Sequence, residues 1–155
     1  GTINEWRRIE AIQIRIVKGE SNIKYRTHLA DTMWQDWRYN GQMSGTVNQY
    51  RRIEAIEIIA PDLPEGASIR YKTHLADTMW SQDWVYNGTM SGTTGQSRRV
   101  EAIIIELVNA PDYDVMYRVR GEDYGWTNWT TGGQIAGTTG QGKRMEAIEI
   151  KLIKH

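Results

Sequence analysis

The most constraining feature of the sequence is an internal repeat. The segment 25–34 recurs as 71–80 with nine of ten positions identical, and a diverged third copy occupies 117–126. Each copy continues to a second tryptophan, a glycine-rich turn and an Arg-x-Glu-Ala-Ile segment. The Gly-Thr pairs that open this last segment are spaced by 44, 47 and 45 residues. A period of this size corresponds to one supersecondary unit used several times.

The repeat also sets the expected domain organisation. Four Arg-x-Glu-Ala-Ile segments accompany three Tyr-to-Trp halves, so the chain begins halfway through a unit. Three complete units span about 23–60, 69–108 and 115–153, and residues 1–19 form a leading half-repeat. This half-repeat reflects a domain boundary or is needed to close the structure. At 155 residues, we expect one domain over 1–155.

Hydropathy within each unit alternates with a period of two. In residues 23–29 the odd positions are apolar or semi-polar and the even positions are charged or His, which is typical of a half-buried strand. Asn-Gly pairs at 40–41 and 87–88 predict turns, and the three prolines lie in the linkers between units. Each unit is therefore expected to provide about three strands and almost no helix.

These patterns predict an all-β fold with three pseudo-equivalent units around an approximate three-fold axis. A β-prism-like arrangement is favoured because the strands are long and few per unit. A β-trefoil fits the repeat length, and an open array of β units fits the count of four half-repeats of one kind and three of the other. Repeat length alone does not separate these alternatives.

Composition excludes several classes of protein. Cys is absent, which excludes thiol catalysis, cysteine-bound zinc and disulfides. Lys and Arg number 19 and so do Asp and Glu, so there is no net positive charge to attract nucleic acid. No apolar run approaches the roughly 18 residues of a membrane span. The histidines of the repeats occur singly, so we expect no metal site and no cofactor.

Charged pairs recur with the scaffold. An Arg precedes a Glu by two residues in all four Arg-x-Glu-Ala-Ile segments, and same-face neighbours on a strand lie roughly 7 Å apart. We interpret these as structural pairs rather than a catalytic dyad, because the paired carboxylates of glycosidases need different environments. The glutamates are Glu10, Glu54, Glu101 and Glu146. The protein is therefore not expected to be an enzyme.

The aromatic residues suggest a binding site. The chain has seven Trp and eight Tyr but no Phe, and six of the tryptophans form three repeated pairs beside Asp and Asn. Sugars bind with an apolar ring face on an aromatic side chain while carboxylates and amides take their hydroxyls. We expect the first Trp of each pair to lie in the core and the second to be partly exposed. The candidate ligand-binding residues are Trp34, Trp37, Trp80, Trp84, Trp126, Trp129, His28, His74, Asp31, Asp77, Asp123, Asn40 and Asn87.

The repeats resemble the clostridial hydrophobic repeats with a conserved tryptophan, or ChW repeats. The third unit carries the fullest match, in Tyr117, Gly125-Trp126, Trp129, the segment 136–141 and the segment 144–152. The first two units have Met33-Trp34 and Met79-Trp80 where the family has Gly-Trp, and the third has Arg120 in place of the His. The resemblance implies a secreted or cell-surface module of a Gram-positive bacterium, or a phage-encoded one, attached to wall or glycan.

Together these observations predict a non-catalytic, lectin-like module for carbohydrate or cell wall. Its partner would be a glycan or a cell-wall polymer, bound weakly at repeated Trp-containing sites whose linkage raises avidity. The alternative is a protein-protein adhesion or structural surface module, in which exposed aromatic residues anchor a surface protein.

Overall fold

A computed structural model describes residues 19–77, 79–80 and 83–155, and over these ranges the chain forms sixteen β-strands and no helix. The predicted leading half-repeat, 1–19, lies outside the described residues apart from Gly19. No segment of the described chain forms a helix able to cross a membrane. The prediction of an all-β fold is confirmed.

Each unit is built on a long antiparallel strand pair. The first member, the tyrosine strand, is β2 (Lys24–Leu29), β7 (Ser68–Leu75) or β12 (Tyr113–Gly121). The second, the isoleucine strand, is β6 (Ile53–Ile59), β11 (Val100–Val108) or β16 (Met145–Lys154). Burial alternates along the tyrosine strands, as the period of two predicts.

Ten short strands complete the sheets. The tryptophan strands are β3 (Met33–Trp34), β8 (Met79–Trp80) and β13 (Gly125–Trp126), and the turn strands are β4 (Arg38–Tyr39), β9 (Val85–Tyr86) and β14 (Thr130–Thr131). The glycine strands are β5 (Ser44–Gly45), β10 (Ser91–Gly92) and β15 (Ile135–Gly137), and β1 (Glu20–Ser21) precedes the first unit. Tryptophan and turn strands pair with the tyrosine strand of their own unit.

The glycine strands join the units in a closed cycle. β5 of the first unit pairs with β16 of the third, β10 of the second with β6 of the first, and β15 of the third with β11 of the second. β1 also pairs with β16. Within the described ranges, three separate sheets of six, five and five strands result. This is the β-prism-like arrangement rather than a trefoil barrel, and an open array is excluded because the third unit meets the first.

One core lies between the three sheets. It contains the inward-facing isoleucines of every unit and three fully buried tyrosines, Tyr25, Tyr71 and Tyr117. The hydroxyl of Tyr71 donates to the carbonyl of Thr89 in its own unit and accepts from the Ile58 N–H of the first unit at 3.0 Å. The equivalent contacts to a neighbouring unit are Ile105 N to Tyr117 Oη at 3.2 Å and Ile150 N to Tyr25 Oη at 3.2 Å.

In each glycine strand, the glycine lies so close to the backbone of the neighbouring unit that no side chain would fit. Gly92 has φ 103, and a Cβ there would lie 2.4 Å from the carbonyl oxygen of Glu54 in the first unit. Gly45 and Gly137 have φ 107 and 100 and make the same approach to Glu146 and Glu101. The Gly of the Gly-Thr pairs at 45, 92 and 137 is therefore required by the contact between units.

Replacement of Gly92 should destabilise the protein strongly. We expect Gly92→Ala to lower the free energy of unfolding by about 2–4 kcal/mol, because it adds a backbone clash to the cost of a left-handed residue. Gly95→Ala is the matched control, since Gly95 has φ 74 and a Cβ added there would meet no atom within 4 Å. Its cost should be about 1 kcal/mol in urea denaturation. Equal losses in the two variants would contradict the proposed contact.

The buried tyrosines predict alkaline unfolding. Burial raises the pKa of Tyr25 and Tyr71 above the ordinary tyrosine range and raises the pKa of Tyr117 to about 12. The folded state therefore keeps protons that the unfolded chain loses near pH 10, so stability is unaffected below that pH and falls above it. Tyr117→Phe should be about 1–3 kcal/mol less stable at pH 8, since it leaves the Ile105 N–H without its partner.

Urea denaturation at pH 8, 10 and 11 tests this. Between pH 10 and 11 the Tyr117→Phe variant should lose less stability than the wild type, because it has one fewer tyrosine to ionise on unfolding. Parallel decreases in the two proteins would show that Tyr117 does not contribute.

Candidate functional site

Each tryptophan pair brackets a cation on the outward face of its tyrosine strand. The Cζ of Arg26 lies 4.8 Å from the ring centroid of Trp34 and 4.7 Å from that of Trp37. These separations are typical of cation-π contacts. In the other units, Lys72 Nζ lies 5.7 and 4.7 Å from Trp80 and Trp84, and Arg118 Cζ lies 4.8 Å from both Trp126 and Trp129.

The second tryptophan of each pair contacts one more cation. Lys24, Arg70 and Lys151 lie 5.0, 4.5 and 4.8 Å from Trp37, Trp84 and Trp129, respectively. Arg26 is also ion-paired with Glu57 at 2.7 Å, and Arg118 with Glu149 at 2.8 Å. Each tryptophan pair is therefore in contact with an arginine that an ion pair holds in place, which is Arg70, paired with Glu106, in the second unit.

All six paired tryptophans are half-buried, so the expectation that the first of each pair lies in the core is wrong. Trp34 is the cross-strand partner of His28, and Trp80 is that of His74. Directly opposed residues of antiparallel strands point to the same face. Because these histidines alternate with the buried residues of the tyrosine strand, their tryptophan partners also face away from the core.

In the second unit the tryptophan pair borders a groove of about 540 Å³. Trp80, Trp84 and Val85 form one side, and Asp83 and Arg98 add charged groups. The glycine strand β10 completes the lining.

The first unit carries a longer side chain at the corresponding place. Arg38 replaces Val85 and donates from Nε to the carbonyl of Met43 at 3.2 Å. The two units therefore share the tryptophan pair but differ in the side chain beside it.

A second kind of pocket lies where a unit meets the loop after the neighbouring glycine strand. In the second unit His74, Asp77, Met79 and Arg99 face Gly140 of the third unit across about 570 Å³. The third unit's pocket, about 460 Å³, contains Arg120, Asp123, Arg144 and Glu146 and faces Asn48 and Tyr50 of the first unit. These inter-unit pockets contain the predicted residues His74, Asp77 and Asp123, whereas the groove contains Trp80 and Trp84.

A buried glutamate anchors each inter-unit pocket. Glu101 is 4% exposed, and its Oε1 lies 3.1 Å from His74 Nδ1 while its Oε2 accepts from Arg99 Nε at 2.8 Å. The pairing of β7 with β11 shifts register at Glu101, so a bulge directs this side chain. Glu54 pairs likewise with His28 and Arg52, and Glu146 with Arg120 and Arg144.

This geometry suits a structural carboxylate. Both oxygens of each glutamate face cationic or imidazole partners: a His and an Arg in the first two units, and two Arg in the third. Catalytic carboxylate pairs need unequal environments to separate their pKa values. Over the described ranges, no group of three His, Asp or Glu side chains is arranged to hold a metal ion.

The predicted asparagines lie apart from both pockets. Asn87 Oδ1 accepts from the Ala60 N–H at 2.9 Å and so links the second unit to the first. Asn40 Oδ1 is buried without a hydrogen-bond partner. Sequence reasoning did not select the cations between the tryptophans, although their outward positions on the tyrosine strands were a usable signal.

The third unit is built differently from the other two. Thr27 and Thr73 bond to Ser44 and Ser91 at 2.8 and 2.9 Å, whereas the third unit has Val119 and Ala136 at these places. A Cβ on Gly121 would lie 2.1 Å from the ring of Tyr124, so this ring occupies the space that a leucine takes in the other units. Burial raises the pKa of Tyr124 to about 12.

A family model described as Clostridial hydrophobic W matches residues 28–59, 74–109 and 122–154. The chain belongs to the clostridial hydrophobic W (ChW) family. Each match begins near the end of a tyrosine strand and includes the isoleucine strand of the same unit, which confirms the three predicted repeats. ChW repeats are in general non-catalytic modules of surface and cell-wall proteins. Comparison with curated proteins and with solved structures finds no match.

Loss of a buried glutamate should lower stability. We expect Glu54→Gln to reduce the free energy of unfolding by about 1–3 kcal/mol, because the Arg52 guanidinium loses its buried carboxylate partner. Glu65→Gln, an exposed change in the linker, should stay within about 0.5 kcal/mol of wild type. Thermal denaturation of the two variants checks this, and an unchanged Tm for Glu54→Gln would argue against a structural role.

Proposed function

We propose that this ChW module binds carbohydrate without catalysis, through the tryptophan groove of its second unit. The observation that carries the proposal is the groove of the second unit, where Trp80, Trp84, Asp83 and Arg98 line one cavity. Its volume of about 540 Å³ is ordinary for a site that takes a small molecule. Sugar binding requires an aromatic face for the apolar side of the sugar ring and polar or charged groups for its hydroxyls. The groove provides both.

The fixed tryptophans support this proposal. Arg70 and Lys72 lie 4.5 and 4.7 Å from the Trp84 ring, so the ring is positioned before any ligand arrives. Side chains that are already ordered lose less conformational entropy on binding.

The family context agrees with a glycan or cell-wall polymer as the partner. We propose that the protein acts outside the cell, secreted or at the surface of a Gram-positive bacterium, or as a phage-encoded module. A surface protein is the alternative partner. The observation that favours it is the exposure of Tyr50 and Ile135, which are 76% and 51% exposed near the glycine strands.

Filling the groove should abolish binding. We expect Val85→Arg to reduce retention on purified cell walls at least tenfold, because the added side chain occupies the space that Arg38 fills in the first unit. Trp84→Ala should have a similar effect through loss of the ring. The Tm of Val85→Arg should stay close to that of wild type, since the same fold accepts Arg38.

Gln134→Arg is the matched control, because it adds the same charge at an exposed position of the third unit. It should bind as the wild type does. Unchanged retention of both Val85→Arg and Trp84→Ala would exclude the groove as the site. A wild-type protein that binds no wall or glycan, yet forms a stable complex with a protein, would overturn the proposed function.

A further inference from the structure

Two methionines have a backbone conformation that is unfavourable for a residue with a side chain, and their apolar side chains are exposed to solvent. Met33 and Met79 both have φ 67, in the left-handed region that glycine adopts without strain. They are 69% and 72% exposed. The third unit has Gly125 at the same place, with φ 69. A methionine therefore occurs twice, with a strained backbone and an exposed side chain, at a position where glycine would be compatible with the fold. This indicates that the methionine side chain has a function.

Met79 lies in the inter-unit pocket of the second unit. This pocket combines the thioether of Met79 with the exposed carboxylate of Asp77 and the guanidinium of Arg99. Arg99 keeps 35% of its side chain exposed although it pairs with Glu101. The pocket thus offers an apolar surface, a hydrogen-bond acceptor and a hydrogen-bond donor to one ligand.

The first unit repeats these side chains, and the third does not. His28, Asp31, Met33 and Arg52 take the same sequence positions in the first unit, and His28 lies 3.1 Å from Glu54 as His74 does from Glu101. In the third unit Arg120 and Gly125 replace the His and the Met, and the exposed Tyr50 stands in the pocket where the second unit's pocket has Gly142.

We propose that the inter-unit pocket of the second unit is a site for an N-acetylated amino sugar, and that the equivalent side chains of the first unit form a second such site. An acetamido group carries a methyl for the methionine thioether, an N–H for the aspartate and a carbonyl for the arginine. A sugar that bears hydroxyls alone lacks this methyl, amide N–H and carbonyl. This assignment rests on the proposed carbohydrate function, but it places the selective contact in the inter-unit pockets rather than in the tryptophan groove.

Titration calorimetry on the full chain tests the assignment with two matched ligands. The N-acetylglucosamine trisaccharide should bind with two sites per chain, and cellotriose, which has the same linkage but no acetamido groups, should bind at least tenfold more weakly. Met79→Gly and Met33→Gly should each remove one site, and the double variant should remove both. Because glycine accepts φ 67 without strain, these variants should keep or raise the wild-type Tm, so lost binding would not reflect unfolding.

Met116→Ala, which changes a methionine outside the pockets, should leave both sites unchanged. Wild-type binding by the folded double variant would overturn the assignment, as would equal affinity for the two trisaccharides or a count other than two. If the double variant is still retained on cell walls while Val85→Arg is not, the inference fails and the proposed function stands. A wild type that binds neither trisaccharide nor cell wall overturns both.

Discussion

The hydrogen bonds of three buried tyrosine hydroxyls determine how the units assemble. At each contact one isoleucine has both backbone groups satisfied by the neighbouring unit: Ile58 donates its N–H to Tyr71 Oη at 3.0 Å, and its carbonyl accepts from the Gly88 N–H at 2.7 Å. Without the neighbour these groups would be unpaired at the edge of a sheet. One edge of each isoleucine strand pairs with its own tyrosine strand and the other needs the next unit, so the cycle has to close.

This constraint explains the aromatic composition. A phenylalanine would fill the same core volume as Tyr25, Tyr71 or Tyr117 but would leave a buried N–H without its acceptor. The tryptophans lie on the opposite face of the same strands, where they contact cations. The absence of Phe therefore reflects two separate demands, one in the core and one on the outer surface.

The repeat and its period of two were sufficient to predict an all-β, three-fold fold. The order in which the units join could not be predicted, because glycine strands of two or three residues carry no hydropathy pattern. The alternation of inward and outward positions also could not predict which face of the sheet Trp34 and Trp80 occupy. Asp31 and Met33 both have left-handed φ between the strands, so counting in twos fails across this turn. The bulge at each buried glutamate interrupts parity in the same way.

The three units share a backbone arrangement and differ in the side chains that they carry on it. Contacts at the unit boundaries use a tyrosine hydroxyl, a left-handed glycine and backbone amides, and these are the same in all three. Elsewhere, paired differences between the units preserve packing. The Thr-Ser contact of the first two units is replaced in the third by Val119 and Ala136. The space of the leucine in the first two units is occupied in the third by the ring of Tyr124, which lies over Gly121. Because assembly depends on the boundary contacts and the shared core, other side chains that line the groove and pockets can change one unit at a time. Equal backbones therefore do not imply equal sites, and differences between units are the better guide to which of them bind.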